Sequence, residues 1–217
     1  MRTTITPRRT ILAAILASVL VLAACSNGSD EPPAAGGSTA TSPPSSSSSE
    51  GGGGRYDYGD TAKLTQQLQR IAHWPVAGYL ISCPSYVRPA QEGLYQHYRA
   101  IAESSALPIV LYSVQPRTAV NIEPATVLRL AEIPNIVGLK EASGSISQMG
   151  SILARVPETF VVLSGDDAVA LPLVALGGRG VISVVSNQIP AEFGALVRAA
   201  MQGNFQRARE LQRKYQA

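Results

Sequence analysis

Two side chains able to do chemistry stand at the ends of neighbouring apolar runs. Lys140 ends one run, which begins at Ile136, and Tyr112 ends another, which begins at Ile109. Short β-branched runs of this kind predict buried parallel strands. A lysine desolvated at a strand end loses part of its preference for the charged form, and a neutral amine attacks a ketone carbon. Lys140 with a phenolic proton carrier therefore predicts Schiff-base chemistry.

Lys140 alone also fits a purely structural interpretation. A strand-end lysine commonly extends its amine to water, and here it has an adjacent carboxylate, Glu141, with which to pair. Because side chains alternate along a strand, we expect Ile136, Gly138 and Lys140 to share one face. The chemical interpretation depends on what else lies on that face.

Apolar runs and amphipathic helical patterns alternate through the second half of the chain. This alternation predicts βαβ units and a parallel sheet. We expect helices after each run, including one from Asp167 to Leu176 that bends at Pro172, and two final helices over 191–201 and 205–215. The predicted strands are residues 76–82, 108–112, 136–140, 160–164 and 180–185.

The first 55 residues have a different composition. Residues 1–24 resemble a lipoprotein signal peptide, because basic residues precede an apolar stretch shorter than the roughly 20 residues needed to span a bilayer. Leu22 to Cys25 resembles a lipobox, which predicts lipidation at Cys25. Arg8 and Arg9 leave both general secretion and twin-arginine export open. Residues 25–55, rich in Ser, Gly and Pro, predict a disordered tether, and residues 56–217 predict the folded domain.

Composition excludes several classes of function. The 18 Lys and Arg against 15 Asp and Glu give a net charge of +3, and the basic residues are scattered, so we expect no nucleic-acid partner. No metal-ligand spacing occurs, because His73 and His97 are isolated and His97 falls in a helix surface pattern. Cys83 lies in an apolar run and predicts a core residue. We expect neither a metal nor a cofactor.

The candidate polar groups all follow the ends of predicted strands. In α/β barrels and in open parallel sheets the chemistry lies at the carboxyl ends of the strands. An open nucleotide-binding sheet would place a Gly-rich turn after its first strand, and the chain instead has Pro84, Ser85 and Tyr86 there. We therefore expect part of a barrel. Asp166 and Asp167 predict a helix N-cap pair.

Five motifs occur in order along the chain: residues 84–95, Leu111-Tyr112 with Arg117-Thr118, residues 138–144, residues 163–167 and residues 180–183. Together they resemble the dihydrodipicolinate synthase / N-acetylneuraminate lyase family of pyruvate-dependent class I aldolases. The resemblance implies a partial (β/α)8 TIM barrel covering about strands 4–8, plus C-terminal helices. It also implies small-molecule substrates, namely pyruvate and an aldehyde acid, and a homo-oligomer.

The resemblance assigns a role to each of six residues. Lys140 would form the imine with pyruvate, and Tyr112 would carry protons to and from the carbinolamine. Tyr86 would be a second tyrosine of the relay, reaching a neighbouring subunit's site. The implied substrate-binding residues are Arg117, which would hold the aldehyde's carboxylate, together with Gly165 and the carbonyl of Ile182 in the pyruvate pocket.

Departures from the family pattern keep more than one function open. Ala119 stands where the family has glycine, and the chain has no counterpart of a Gly-Thr-Thr-Gly-Glu segment. The leading hypothesis is a lyase that condenses pyruvate with L-aspartate semialdehyde in lysine and diaminopimelate biosynthesis. The alternatives are another 2-keto-acid aldolase, similar to N-acetylneuraminate lyase, and an inactive lipid-anchored fragment or binding module. Lipidation of Cys25 would place the protein in the cell envelope; without a working leader, the resemblance implies the cytoplasm.

Overall fold

The structure, a computed structural model, describes Val19–Leu22 and residues 60–215. Its strands form a single sheet in chain order, and every neighbouring pair is parallel. The parallel α/β architecture expected from the sequence is confirmed. The strands are β1 (Val19–Leu22), β2 (Gly78–Ser82), β3 (Ile109–Ser113), β4 (Ile136–Glu141) and β5 (Val161–Ser164).

Helices separate the strands and follow the last of them. Asp60 begins the first helix by accepting a hydrogen bond from the backbone N–H of Ala62 at 2.9 Å, which satisfies a free donor of the first turn. This helix was not predicted, whereas the two final helices agree with the predicted ranges to within a residue. The helices are α1 (Thr61–Arg70), α2 (Gln91–Ser104), α3 (Gln115–Thr118), α4 (Pro124–Ala131), α5 (Ile146–Leu153), α6 (Ala170–Ala175), α7 (Pro190–Met201) and α8 (Phe205–Tyr215).

The main core lies between one face of the sheet and helices α1, α2, α4, α5 and α6. Leu111 and Leu139 on the strands are fully buried there, as are Leu94 and Leu130 on the helices. The other face carries a smaller apolar cluster around Leu80 and Val110. Helices on one face of a parallel sheet are typical of a barrel wall, whereas a doubly wound sheet has helices on both faces.

A bulge in β4 changes the predicted pattern of faces. Ile109 pairs with Ile136, but Val110 pairs with Gly138, so Val137 is an extra residue in the ladder. Ile136 consequently packs in the main core, while Val137 packs with the smaller cluster on the opposite face. The expectation that Ile136 shares a face with Gly138 and Lys140 is therefore wrong, because regular alternation was assumed through an irregular ladder.

The predicted strand over 180–185 and the predicted helix from Asp167 differ from the structure. Val181 forms a single parallel bridge to Ser164, and a 3-10 turn, Val185–Asn187, follows. Gly180 has a φ of 133°, which breaks the extended backbone at the start of the run. The helix begins as a 3-10 turn, Asp167–Val169, and becomes α-helical only as α6.

β1 lies inside the apolar stretch expected to be a leader. In the structure Val19 pairs with Gly78 and Leu22 with Ile81, so β1 extends the sheet beyond β2. Cys25, the tether over 25–55 and the rest of residues 1–24 lie outside the described residues, so the leader, the lipidation and these domain boundaries stay predictions. No helix within 60–215 is long and apolar enough to cross a membrane.

Candidate functional site

Lys140 and Tyr112 lie side by side on adjacent strands. They are register partners across the β3–β4 ladder, and Nζ of Lys140 lies 3.9 Å from the centre of the Tyr112 ring. Both side chains are on the face of the sheet opposite the main core, because Tyr112 packs with the Leu80 and Val110 cluster and Lys140 is its register partner. The structure thus brings together the amine and the phenol that the sequence singled out.

Burial makes the Lys140 amine easier to deprotonate. The side chain is 9% exposed, and desolvation lowers its pKa below the ordinary value of 10.5, although the negative charge of Asp167 opposes this change. The lowered pKa increases the fraction of neutral amine at a given pH, and the neutral amine is the nucleophile.

Tyr112 keeps its proton more firmly than a free phenol. Burial raises its pKa above 10.0, while the positive charge of Arg117 acts in the opposite direction. A protonated phenol beside an amine can donate a proton to an oxygen formed at the same carbon. Arg117 itself is exposed on the short helix α3, and its charge acts on Tyr112.

Gly165 leaves the space that the Lys140 side chain occupies. A Cβ atom at position 165 would lie 2.9 Å from Cε of Lys140 and 2.8 Å from Cβ of Ala142. The backbone N–H of Gly165 donates to the carbonyl of Glu141 at 2.7 Å, so the turn after β5 is fixed directly against the end of β4. A glycine is therefore required here for close approach rather than for an unusual φ.

Glu141 belongs to a different network and does not pair with Lys140. It is fully buried, and its carboxylate accepts hydrogen bonds from the side chain of Gln148 at 2.9 Å and from the backbone N–H of Ser143 at 3.2 Å. Gln148 also donates to Asn121, which accepts from the hydroxyl of Ser113 at the end of β3, so the network ties the ends of β3 and β4 to α5. Burial raises the pKa of Glu141. The alternative in which Lys140 pairs with Glu141 is wrong.

Ile182 and Asp167 connect the end of β5 to the loop that follows the Val181 bridge. Ile182 donates its backbone N–H to Ser164 at 2.9 Å and packs with the cluster beside Tyr112. Asp166 caps the 3-10 turn through Ala168, as predicted. Asp167 does not: its Oδ2 accepts from the backbone N–H groups of Val184 and Val185, both at 3.0 Å. No sequence signal identified this long-range contact.

Tyr86 lies apart from the Lys140 and Tyr112 pair. Its side chain is 95% exposed, and its φ of 68° places the backbone in the left-handed region. Arg88 in the same loop has a φ of 42°. Residues other than glycine rarely adopt this conformation, and it is often found at functional loops. The structure brings Lys140, Tyr112, Gly165 and Ile182 together and leaves Tyr86 facing outward.

A thiol and a cavity also lie near the strand ends. Cys83 is buried as predicted, and burial raises its pKa to about 11, so the thiol stays protonated. A cavity of about 290 Å³ adjoins Asp166 and Asp167, and Lys140 does not line it. Among the described residues, no cluster of three or more His, Cys, Asp or Glu side chains is placed to hold a metal ion.

A lysine thus lies beside a phenol at the strand ends of a parallel sheet whose main core is formed with helices on one face, as in the wall of an α/β barrel. Residues 53–217 match the Dihydrodipicolinate synthetase family, and the chain belongs to this family, which confirms the resemblance seen in its motifs. The chain is 49% identical over 159 residues to 4-hydroxy-tetrahydrodipicolinate synthase of Koribacter versatilis, covering 73% of this chain and 53% of that protein. The corresponding protein of Syntrophus aciditrophicus is 55% identical over 137 residues, covering 63% and 47%.

Solved structures agree with the sequence relatives. The 4-hydroxy-tetrahydrodipicolinate synthase from Methylacidiphilum fumariolicum superposes with a TM-score of 0.69 at 42% identity, covering 71% of this chain and 52% of that one. The dihydrodipicolinate synthase of Thermotoga maritima gives a TM-score of 0.71 at 38% identity, covering 73% and 55%. The fold is thus a partial (β/α)8 barrel, and the chain spans about half the length of the relatives it matches.

Proposed function

We propose that the chain carries the Schiff-base-forming half of a pyruvate-dependent lyase. The observation that supports this most directly is the contact between Lys140 and Tyr112, in which Nζ lies 3.9 Å from the ring centre and burial lowers the pKa of the amine. Family membership supports the reaction class, because the relatives named above are 4-hydroxy-tetrahydrodipicolinate synthases.

In the proposed reaction the neutral amine of Lys140 attacks the ketone carbon of pyruvate. The phenol of Tyr112 gives a proton to the oxygen of the resulting carbinolamine. This oxygen then leaves as water, and an iminium forms between the carbon and the nitrogen of Lys140. The iminium draws electrons from the methyl group, so that the phenolate left on Tyr112 takes up one methyl proton, which gives a neutral enamine and restores the phenol. The enamine carbon attacks the aldehyde, and water later releases the product from Lys140.

The remaining site residues bind the substrates in this proposal. Gly165 and the carbonyl of Ile182 line the pyruvate pocket, and Arg117 holds the carboxylate of the aldehyde. A guanidinium suits this task because it is always charged and presents a rigid fork of donors. A carboxylate-binding arginine favours L-aspartate semialdehyde over sugar acids, whose hydroxyl groups need neutral partners. Tyr86 completes the relay from a neighbouring subunit.

Reductive trapping tests this function. Pyruvate with borohydride should leave one covalent adduct, on Lys140, and Lys140→Ala should abolish it. Lys63 is an internal control, since its side chain is 53% exposed and its amine lies 3.8 Å from Asp60, and Lys214 is a second. Comparable labelling of all three lysines would mean that Lys140 is an ordinary lysine, and would overturn the proposal.

One further candidate is an inactive fragment or binding module, which the departures from the family pattern, such as Ala119, keep open. The N-terminal half of a full-length relative, added as a separate polypeptide, distinguishes the two. We expect trapping at Lys140 to increase on addition, because the added strands exclude water and supply carboxylate-binding groups. Trapping that stays absent with the added half would support the fragment.

For the leader, we propose cleavage before Cys25 and lipidation of its thiol, which would anchor the protein to the membrane of the cell envelope. The support is the sequence alone: an apolar stretch too short to span, ending in Leu22-Ala23-Ala24-Cys25. Metabolic labelling with a fatty-acid probe should mark the natural chain and not Cys25→Ser. Equal labelling of both would exclude lipidation at this residue and favour the cytoplasmic location.

A further inference from the structure

The adjacent residues Asp166 and Asp167 make different contacts, and only those of Asp167 reach the candidate site. Asp166 accepts from Ala168, two residues away, and so stabilises only its own turn. Asp167 accepts from Val184 and Val185 across 17 and 18 residues of sequence. The loop it holds follows directly on Ile182, which packs beside Tyr112.

The charge of Asp167 also acts on Lys140. Its Oδ1 is buried and has no hydrogen-bond partner among the described residues, although a buried carboxylate oxygen normally has one. Its negative charge acts on the Lys140 amine and opposes the effect of burial on the pKa. Asp167 is half-buried, one of its carboxylate oxygens binds a distant loop, and its charge acts on a lysine, so its role extends beyond the local turn.

We propose that Asp167 is a positioning residue of the candidate site, which fixes the loop after Ile182 and balances the positive charge on the nitrogen of Lys140. The inference rests on the proposed function for its chemical meaning. An iminium formed at Lys140 carries a permanent positive charge, and a carboxylate whose charge acts on that nitrogen stabilises it. The same carboxylate favours the ammonium form of the free lysine.

Other titratable groups near Lys140 act differently. Tyr112 on β3 contacts the amine directly, and Arg117 acts on Tyr112. Glu141 is bonded to Gln148 and Ser143. Asp166 acts on Glu141. Asp166 therefore provides a matched control, because it is an adjacent carboxylate with a different target.

The experiment uses the full chain and measures the pKa of Lys140 without pyruvate, by competitive labelling with an amine-reactive anhydride over a range of pH. Asp167→Asn removes the charge, and its carbonyl oxygen can still accept from Val184 and Val185. We expect the midpoint for Lys140 to move down by about half a pH unit or more, and to stay unchanged in Asp166→Asn. An unchanged midpoint in Asp167→Asn, or an equal shift in both variants, would overturn the electrostatic role.

Hydrogen exchange at the amides of Val184 and Val185 tests the loop separately. Protection should persist in Asp167→Asn and be lost in Asp167→Ala, which has no acceptor. Protection retained in Asp167→Ala would overturn the positioning role, and the Asn variant still reports on the charge where the Ala variant does not fold. Absence of pyruvate trapping in the natural chain, with both differences intact, would count against the proposed function alone.

Discussion

The ends of β4 and β2 carry a candidate catalytic residue each, and the two are held in opposite ways. Lys140 is the last but one residue of its strand, paired on both sides by β3 and β5, and only 9% exposed. Tyr86 follows β2 in a loop and is 95% exposed, with a left-handed backbone. The strand ladder fixes Lys140 within the chain itself. The Tyr86 side chain is open to solvent, so only another molecule could fix its position.

The described sheet is therefore sufficient to position Lys140, but it does not position the side chain of Tyr86. Register alone sets Lys140 against Tyr112, since both lie on strands whose neighbours are present in the chain. A residue on an outward loop gains no such support. We therefore expect substitutions around Lys140 to have large effects and those in the Tyr86 loop to have small ones.

The largest effect is expected from Gly165→Ala. The new methyl group would overlap Cε of Lys140, at 2.9 Å, and Cβ of Ala142, at 2.8 Å. Lysine can rotate away and Ala142 cannot, so we expect a misplaced amine together with a loss of about 1–3 kcal/mol in the free energy of unfolding. Adduct formation with pyruvate should fall by more than about 100-fold.

Gly150→Ala is the matched control for this change. Gly150 lies in α5, and its added methyl group would have its nearest contact at 3.8 Å, with Leu176. Alanine favours a helix over glycine by about 1 kcal/mol, so this variant should be more stable and trap pyruvate normally. Equal losses of pyruvate trapping in both variants would mean that the effect of Gly165→Ala does not come from its contact with Lys140.

The next effect concerns the phenol. Tyr112→Phe keeps the ring beside Lys140 and removes only the hydroxyl group, so the adduct should still form on Lys140 but about 100-fold more slowly, the lower end of what a positioned proton donor contributes. Tyr79→Phe removes another buried phenol, which lies in the main core on the opposite face of the sheet. This change should not slow adduct formation. A Tyr112→Phe rate equal to that of the natural chain would exclude Tyr112 from the proton transfer.

The strands that position Lys140 and Tyr112 could be predicted from their apolar runs, and their pairing from the βαβ alternation. The bulge at Val137 could not, because it depends on how β3 and β4 pair in the folded sheet. Gly165 was identified only through the family motif, since nothing in the sequence shows that its missing side chain makes room for Lys140. The hydrogen bonds of Asp167 to Val184 and Val185 likewise depend on tertiary structure.

His97 shows where a local signal was present and misjudged. It was expected on a helix surface, but it is 4% exposed, and its Nδ1 lies 2.8 Å from Oγ1 of Thr61 on α1. The spacing from Leu94 and to Ile101 already placed it on the apolar face of α2.

The pH dependence of stability should follow His97 rather than the loop. Burial lowers the pKa of His97 from 6.5 to about 4. Below pH 6.5 the unfolded chain binds a proton that the folded chain does not, so stability is full above 6.5 and decreases as the pH falls toward 4. The loss should approach roughly 3 kcal/mol, measured by denaturant unfolding at several pH values.

Two asparagine variants isolate the contribution of His97. His97→Asn removes the titrating group and should flatten stability between pH 6.5 and 4. His73→Asn should leave the slope as it is, because His73 is exposed. A slope unchanged by His97→Asn would show that other groups control unfolding in acid.

The smallest effect concerns backbone strain in the loops, and it tests the outward region most directly. Ala119 follows α3 with a φ of 60°, and Tyr86 has a φ of 68°. A left-handed conformation costs a residue with a Cβ about 1–2 kcal/mol, and the greater freedom of glycine in the unfolded chain offsets about 0.5–1 kcal/mol of this. Ala119→Gly should therefore stabilise the chain by about 0.5–1 kcal/mol, measured by denaturant unfolding.

Tyr86→Gly should give a similar gain if the tyrosine ring packs against nothing, because the backbone strain is the same and the side chain is 95% exposed. Equal gains in the two variants would sharpen the contrast with Lys140. If Tyr86→Gly alone loses stability, and the loss increases with protein concentration, the contrast between Tyr86 and Lys140 is wrong. The ring would then be buried against a second chain in solution, as expected for a tyrosine that reaches a neighbouring subunit's site, and Tyr86 would be held as firmly as Lys140, by a partner rather than by a ladder.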